Sequence, residues 1–186
     1  TIDFRLAIKE LQYPIVSEWS QGAKFRDIDG NTYVDLAMGF GANFFGHNPP
    51  FVVDAIREQL AGGMGLATQS PLASEVAGLI HELTGVERVA FSNTGTEAIM
   101  HAVRIARART GRRKIVVFAG SYHGTFDGIL AATDASGAHT CPGSTGTPQG
   151  MVDDVVVLTY GSEAALTRIR ELAGELAAVL VEPVQS

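Results

Sequence analysis

The second half of the chain alternates short, uninterrupted apolar runs with segments whose apolar residues recur at helical spacing. The apolar runs, which are typical of buried strands, cover residues 88–92, 114–118, 154–158 and 177–181. Helical spacing extends from Thr96 to Ala106, and from Ser162, as a cap, to about Leu172. Strands that are apolar throughout are typical of parallel sheets covered on both faces. The pattern therefore predicts an α/β fold with a mainly parallel sheet flanked by helices.

The first half of the chain is predicted to hold a β-hairpin and two helices. The turn residues 29–31 separate two short runs within residues 24–36, which is typical of a hairpin. One helix is expected over residues 51–60, after two prolines. A second helix is expected to begin after Ser70, as its cap, and to end at Gly85.

The turn between the run at 88–92 and the helix that follows it carries candidate chemistry. Gly95 lets the backbone approach a ligand closely, and the hydroxyl residues Thr94 and Thr96 can open a helix. The N–H groups at a helix start lack acceptors, and together with the positive end of the helix dipole they favour an anion, above all a phosphate. Either threonine followed by Glu97 is also typical of an ordinary capped helix, so a purely structural role remains an alternative.

Three segments each follow a predicted strand: residues 93–96, 121–123 and 182–185. In parallel sheets ligands bind at the carboxyl ends of the strands, so we expect these segments to converge on one crevice. Residues 135–150 are rich in Gly, Ser, Thr and Pro and have no periodicity. Such a stretch is typical of a long ordered lid or of a mobile loop, and its length favours a functional use.

Composition and charge argue against several classes of function. The net charge of −6, without a basic stripe interleaved with aromatic residues, argues against nucleic-acid binding. The single cysteine, Cys141, rules out an internal disulfide framework, and no metal site is predicted because His47 has no partner at ligand spacing. The sequence contains no uninterrupted apolar run of about 18 residues, so no membrane span is predicted. Without a signal peptide at its start, the chain is expected to be cytoplasmic.

Two enzyme classes with short signatures are disfavoured. Ser121, His123 and Asp127 suggest a hydrolase, but the nucleophile elbow Gly-x-Ser-x-Gly is absent, because Tyr122 holds its central position. No Gly-x-Gly-x-x-Gly motif follows a predicted strand, which argues against a nicotinamide enzyme. An aromatic residue between glycines, as at Tyr122, is also typical of a turn that packs on the sheet, and Glu182 can be simply a strand end.

Three motifs in register, together with the hairpin, resemble a known family. They are Ser92-Asn-Thr-Gly-Thr-Glu-Ala98, Gly120-Ser-Tyr-His-Gly124 and Val181-Glu-Pro-Val-Gln185. Their order and separation resemble the class III, pyridoxal-phosphate-dependent aminotransferases of fold type I, over almost the whole chain. The closer resemblance is to the glutamate-1-semialdehyde aminomutase-like branch. Residues 13–16, 38–41 and 45–50 further resemble the aminotransferase domains of polyketide/non-ribosomal peptide synthetases.

The resemblance implies a role for each candidate residue. Gly95 and Thr96 would bind the phosphate of pyridoxal 5'-phosphate (PLP) through backbone N–H groups and a hydroxyl, and Tyr122 would stack on the pyridine ring. Gln185 would donate a hydrogen bond toward the phenolic oxygen of the cofactor, and Glu182 would lie on the substrate side. Supporting roles are implied for Thr94 and His123.

The resemblance also implies a domain organisation. Residues 1–48 would form an N-terminal segment with the hairpin, and residues 49–186 the first part of the cofactor-binding large domain. The family's Schiff-base lysine and the acidic partner of the pyridine nitrogen would lie beyond Ser186. Three lysines are present, and none fits that position: Lys9, Lys24 and Lys114. The chain is therefore expected to be the N-terminal portion of a homodimeric enzyme, and to be inactive by itself.

The implied reaction is PLP-dependent transfer of an amino group from a donor to a carbonyl acceptor, by an aminotransferase or an aminomutase. The narrower resemblance adds an acyl carrier protein as a partner that carries the acceptor. One alternative is another fold-type I PLP enzyme, such as a decarboxylase. A second alternative is a non-catalytic α/β domain that binds a phosphorylated ligand.

Overall fold

The computed structural model describes residues 14–65 and 69–183, and it divides into two compact units, the first ending at Thr84 and the second beginning at Gly85. The helices of the described residues are α1 (Pro50–Gly62), α2 (Pro71–Thr84), α3 (Gly95–Thr110) and α4 (Glu163–Glu171). The strands are β1 (Ser17–Gln21), β2 (Lys24–Asp27), β3 (Thr32–Val34), β4 (Lys114–Phe118), β5 (Ala131–Thr133), β6 (Thr140–Pro142), β7 (Val155–Leu158) and β8 (Leu176–Val179). The expected domain boundary between residues 48 and 49 stays a prediction.

The first unit contains an antiparallel sheet in the order β1-β2-β3. The predicted hairpin is confirmed, since β2 pairs with β3 around a turn in which Gly30 has a φ of +87°. Asp27 orders this turn, because its carboxylate accepts hydrogen bonds from the Asn31 side chain, the Tyr33 hydroxyl and the backbone N–H of Asp29. These bonds, above all the one from the Asn31 side chain, hold the pKa of Asp27 below its ordinary value.

Other elements of the first unit confirm two predictions and add one strand. Helices α1 and α2 occupy the predicted positions, and Ser70 Oγ accepts a hydrogen bond from the Leu72 N–H at 3.3 Å, as expected of a cap. Strand β1 is not anticipated by the sequence pattern, because its residues are mostly exposed on both sides and so lack an apolar alternation. His47 Nε2 pairs with Asp35 Oδ2 at 2.8 Å, which agrees with a structural role for that histidine.

Strand β4 lies at the centre of the second unit, where it pairs in parallel with β7 on one side and β8 on the other. Its side chains alternate between two covered faces. One face buries Ile115 and Val117 with Val103 of α3. The opposite face buries Val116 with Ala165 of α4. The predicted α/β fold, with a parallel sheet flanked by helices, is confirmed.

The expected strand at residues 88–92 is not formed, and this prediction is wrong for the described structure. A strand needs a neighbouring strand to accept its backbone hydrogen bonds. None of the strands in the described residues pairs with this segment, and both edges of β4 are already taken by β7 and β8. The run is not buried either, since Phe91 is 53% exposed.

Residues 135–150 are partly regular. Strand β6 pairs antiparallel with β5, and a 3₁₀ turn follows at Gln149–Met151. Thr147 Oγ1 also donates a hydrogen bond to Asp127 Oδ1 at 2.9 Å, which joins this stretch to the loop after β4. The stretch is therefore tied to the rest of its unit at several points.

Candidate functional site

A cleft of about 570 Å³ opens at the carboxyl edge of the sheet in the second unit. It is lined by the start of α3, by the loop after β4 and by the segment after β8, at residues 94–96, 122–124 and 180–183. The expected convergence of three segments is confirmed for the residues that the structure describes. A larger groove of about 710 Å³ runs beside the β5–β6 hairpin, and none of the predicted site residues lines it.

The start of α3 is capped but keeps two donors open. Thr94 Oγ1 accepts a hydrogen bond from the Glu97 N–H at 3.1 Å, and Glu97 Oε2 accepts from the Asn93 and Thr94 N–H groups at 2.7 and 3.3 Å. The capped-helix alternative is thus confirmed for Thr94. In the described part of the chain, the N–H groups of Gly95 and Thr96 have no acceptor. These two N–H groups can therefore donate hydrogen bonds to an anion bound at the start of the helix.

The loop after β4 rests directly on the start of α3. Gly124 has a φ of +86°, and a Cβ on it would come within 2.9 Å of Thr96 Cα and 3.0 Å of Thr96 Cβ. Thr125 N–H donates a hydrogen bond to Thr96 Oγ1 at 3.2 Å. Glycine is required at position 124 both by its backbone conformation and by the close approach of Thr96.

Tyr122 lines the cleft, and the residue is 69% exposed, so its side chain is largely uncovered. The expectation that its ring could pack on the sheet is therefore not met. Just before it, the chain turns at Gly120, whose φ is +81°, and Ser121 Oγ donates a hydrogen bond to the Phe118 carbonyl at 2.6 Å. The Ser121 hydroxyl therefore does not form the hydrogen bond to His123 that the hydrolase alternative needs.

His123 contributes a buried polar atom to the cleft. Its Nε2 is buried and has no hydrogen-bond partner among the described residues. Burial lowers the pKa of the imidazole below its ordinary value of 6.5, and the negative charge of Glu182 opposes part of that effect. The ring is therefore uncharged at neutral pH, and Nε2 can accept or donate one hydrogen bond, according to the tautomer.

We expect His123 to titrate below pH 6.5 in the cofactor-free protein. The Glu182→Gln variant should lower its pKa further, because the opposing charge is removed while the burial remains. Since the folded-state pKa is below the unfolded one, the contribution of His123 to stability is complete above about pH 6.5 and is lost as the pH falls through the folded pKa. NMR titration of the imidazole signals measures the pKa of His123 in the unaltered protein and in Glu182→Gln. The signal of His123 is assigned by its absence from the spectrum of His123→Gln. A midpoint at or above 6.5 contradicts the expectation.

The structure places six predicted site residues around one cleft: Thr94, Gly95, Thr96, Tyr122, His123 and Glu182. Gln185 lies outside the described residues. Residues 135–150 do not line this cleft. Thr125, whose N–H donates a hydrogen bond to Thr96 Oγ1, was not predicted from the sequence. The one signal for it was the glycine at position 124, which marks a close backbone approach.

The described residues 14–65 and 69–183 contain no group of His, Cys, Asp and Glu side chains arranged to hold a metal ion. In the same part of the chain, each helix is too short or too polar to cross a membrane.

The cleft fits pyridoxal phosphate. A phosphate group needs N–H donors that can be approached, and Gly95 and Thr96 supply them. A pyridine ring needs a flat aromatic surface, and the Tyr122 ring is uncovered. A polar substituent on the pyridine ring would give the buried Nε2 of His123 a hydrogen-bond partner. The volume of about 570 Å³ is in the range of cofactor sites.

The chain is similar to known proteins along nearly all of its length. Residues 6–186 match the family described as aminotransferase class III. A glutamate-1-semialdehyde 2,1-aminomutase of Symbiobacterium thermophilum is 40% identical over 174 residues, which cover 92% of this chain and 40% of the relative. An omega-transaminase from Sphaerobacter thermophilus has a TM-score of 0.86 at 34% identity, covering 93% of this chain and 42% of that one. A structure described as a transaminase with PLP bound has the same TM-score and identity, covering 98% and 44%.

The chain thus spans about 40% of the length of the curated relatives it matches. Its solved neighbours are fold type I PLP transferases, so the predicted fold type is confirmed. Class III aminotransferases use PLP, in agreement with the cofactor expected from the motifs. Since the family match leaves out only residues 1–5, this chain belongs to the class III aminotransferase family.

Proposed function

We propose that the protein containing these residues catalyses PLP-dependent transfer of an amino group to a carbonyl acceptor, as an aminotransferase or an aminomutase. One observation carries the proposal: the open N–H groups at the start of α3 and the uncovered ring of Tyr122 line the same cleft. One molecule that has both a phosphate and an aromatic ring can contact both. Membership of the class III family supports this choice.

In this proposal the residues of the chain bind and orient the cofactor. The N–H groups of Gly95 and Thr96, with the Thr96 hydroxyl, hold the phosphate, while Thr94 keeps the helix start in place by capping it. Tyr122 covers one face of the pyridine ring. Glu182 supplies a carboxylate on the substrate side, and Gln185 donates toward the phenolic oxygen. The bound cofactor supplies the electron-withdrawing ring that makes amino exchange feasible.

We also propose that the lysine required by this chemistry comes from outside these 186 residues. Lys114 opens β4 at the amino end of the strand, whereas the cleft lies at the carboxyl edge, and its Nζ pairs with Glu175 Oε2 at 2.6 Å. Lys24 opens the hairpin strand β2, and Lys9 lies outside the described residues. The 186 residues by themselves are accordingly expected not to transfer amino groups.

The test uses the full-length protein, freed of cofactor and then titrated with PLP while its absorbance is followed. A panel of amino donors is added to the loaded protein. An aminotransferase converts PLP to pyridoxamine phosphate and the donor to an equal amount of its oxo product, without release of CO2. Release of CO2 from the donor identifies the decarboxylase alternative. PLP binding with an unchanged donor identifies the non-catalytic alternative, and absence of PLP binding refutes the assignment.

Within the family, we infer membership of the glutamate-1-semialdehyde aminomutase-like branch, supported by 40% identity to an aminomutase. The sequence of residues 13–16, 38–41 and 45–50 favours a second candidate. It is an aminotransferase domain of a polyketide/non-ribosomal peptide synthetase that acts on a β-keto acyl chain held by an acyl carrier protein. Assays with glutamate 1-semialdehyde and with a β-keto acyl carrier protein discriminate between the two. A homodimer and a cytoplasmic location complete the proposal, and light scattering tests the dimer.

A further inference from the structure

The contact between the loop after β4 and the start of α3 exceeds what capping of the helix requires. Thr94 and Glu97 already form a complete capping box. Thr96 nevertheless accepts a hydrogen bond from the Thr125 N–H at 3.2 Å, and its Cα and Cβ leave no room for a side chain at Gly124. The two segments meet at Thr96 although 29 positions separate it from Thr125.

We propose that Gly124 and Thr125 are positioning residues of the cofactor site. Together with the Thr96 side chain that they hold, they form a clasp, here called the Thr96 clasp, which fixes the phosphate-binding start of α3 relative to the Tyr122 ring. The inference rests on the proposed function and deepens it, because it assigns a role to two residues that would not themselves contact the cofactor.

The hydrogen bond within the clasp decides whether the Thr96 hydroxyl donates or accepts a hydrogen bond toward the phosphate. A hydroxyl has one hydrogen to donate and two lone pairs that accept. The Thr125 N–H donates to one lone pair of the Thr96 hydroxyl oxygen, so the hydroxyl hydrogen stays available for a phosphate oxygen. Hydrogen bonds to charged oxygens are about twice as strong as neutral ones. Thr125 therefore prepares Thr96 as a donor before any ligand is bound.

The close approach of Gly124 sets the distance between the phosphate site and the ring site. Tyr122 is only two residues away from Gly124, so a shift of the glycine moves the tyrosine as well. A Cβ at position 124 would lie 2.9 Å from the backbone Cα of Thr96, and backbone cannot rotate away as a side-chain end can. An alanine there has to push the loop away from α3, and both parts of the site then lose their spacing.

The test compares Gly124→Ala with Gly120→Ala in the full-length protein. Both glycines have positive φ, +86° and +81°, so the two alanines suffer similar backbone strain, but a Cβ at Gly120 meets nothing within 4 Å. Gly124→Ala is expected to raise the Kd for PLP about tenfold or more above that of Gly120→Ala, the loss expected for one charged hydrogen bond. It should also alter the induced circular dichroism of bound PLP, because the ring is turned. Equal effects of the two alanines overturn the proposal.

A second pair of variants needs no cofactor and serves even when Gly124→Ala fails to fold. Thr96→Val removes the acceptor at nearly constant shape, whereas Thr96→Ser retains it. Hydrogen exchange of the Thr125 amide in the cofactor-free protein should be about tenfold faster in Thr96→Val and unchanged in Thr96→Ser. Exchange that is equally slow in all three proteins overturns the clasp. Failure of the unaltered protein to bind PLP refutes the proposed function, whereas normal binding with equal effects of both alanines refutes the clasp alone.

Discussion

Replacing Ile115 by alanine is expected to lower the free energy of unfolding by about 2–5 kcal/mol. Ile115 is 0% exposed and lies in the central strand β4, where it packs with Val103 of α3 and Val155 of β7. The loss combines the transfer free energy of the deleted carbons with the cost of the cavity that remains. A typical domain has only about 5–15 kcal/mol of stability, so this single change removes a large part of it. Urea unfolding measures the difference.

Ile105→Ala is the matched control for this prediction. The same atoms are removed in the same unit, but the Ile105 side chain is 65% exposed on α3. Alanine also has the higher helix propensity, so the change in stability should stay within about 0.5 kcal/mol. Comparable losses in the two variants contradict the placement of Ile115 in the core between α3 and the sheet.

Replacing Gly95 by leucine is expected to weaken PLP binding about a hundredfold or more without unfolding the protein. Gly95 lines the cleft, and a Cβ on it would meet no atom within 4 Å, so the fold has room for the new side chain. That side chain would occupy the approach to the N–H groups of Gly95 and Thr96. Each hydrogen bond from an N–H group to the charged phosphate contributes about 1.5–3 kcal/mol, so losing both raises the Kd for PLP about a hundredfold or more. Leucine is also a better helix former than glycine, so α3 should persist.

Gly174→Leu separates a local effect of the bulky side chain from a general one. Gly174 is exposed in the same unit, and a Cβ there also meets nothing within 4 Å, but it does not line the cleft. PLP titration and thermal unfolding of both variants provide the comparison. Unchanged PLP affinity in Gly95→Leu contradicts the phosphate assignment, and a similar loss in Gly174→Leu shows that the effect is not specific to the cleft.

The local features of the site could be predicted because their causes lie within a few residues. The cap at Thr94 depends on Glu97, three positions away, and the turn after β4 depends on Gly120. Strands β4, β7 and β8 were recognisable because residues buried on both faces of a parallel sheet are apolar in sequence as well. Because ligands bind at the carboxyl ends of parallel strands, residues 93–96 and the segments after β4 and β8 were then expected to meet at one edge.

The pattern failed where hydrogen-bond partners decide the outcome. Residues 88–92 have the composition of a strand, but a strand exists only beside another one, and no described strand pairs with them. Strand β1 shows the reverse case, since its backbone pairs with β2 although its side chains are mostly exposed. The polarity of the side chains indicates which residues are buried. It indicates strand pairing only where the paired residues are also buried.

By itself, the sequence determined the α/β class, offered the capped start of α3 as one of two interpretations, and named six of the residues that line the cleft, since each depends on local spacing or on a motif. Only the tertiary structure decided that Thr125 bonds to Thr96 and that the Nε2 of His123 is buried without a partner among the described residues. These features arise where segments distant in the sequence come into contact. Their geometry depends on how the loop after β4 lies against α3, and no periodicity within either segment encodes that.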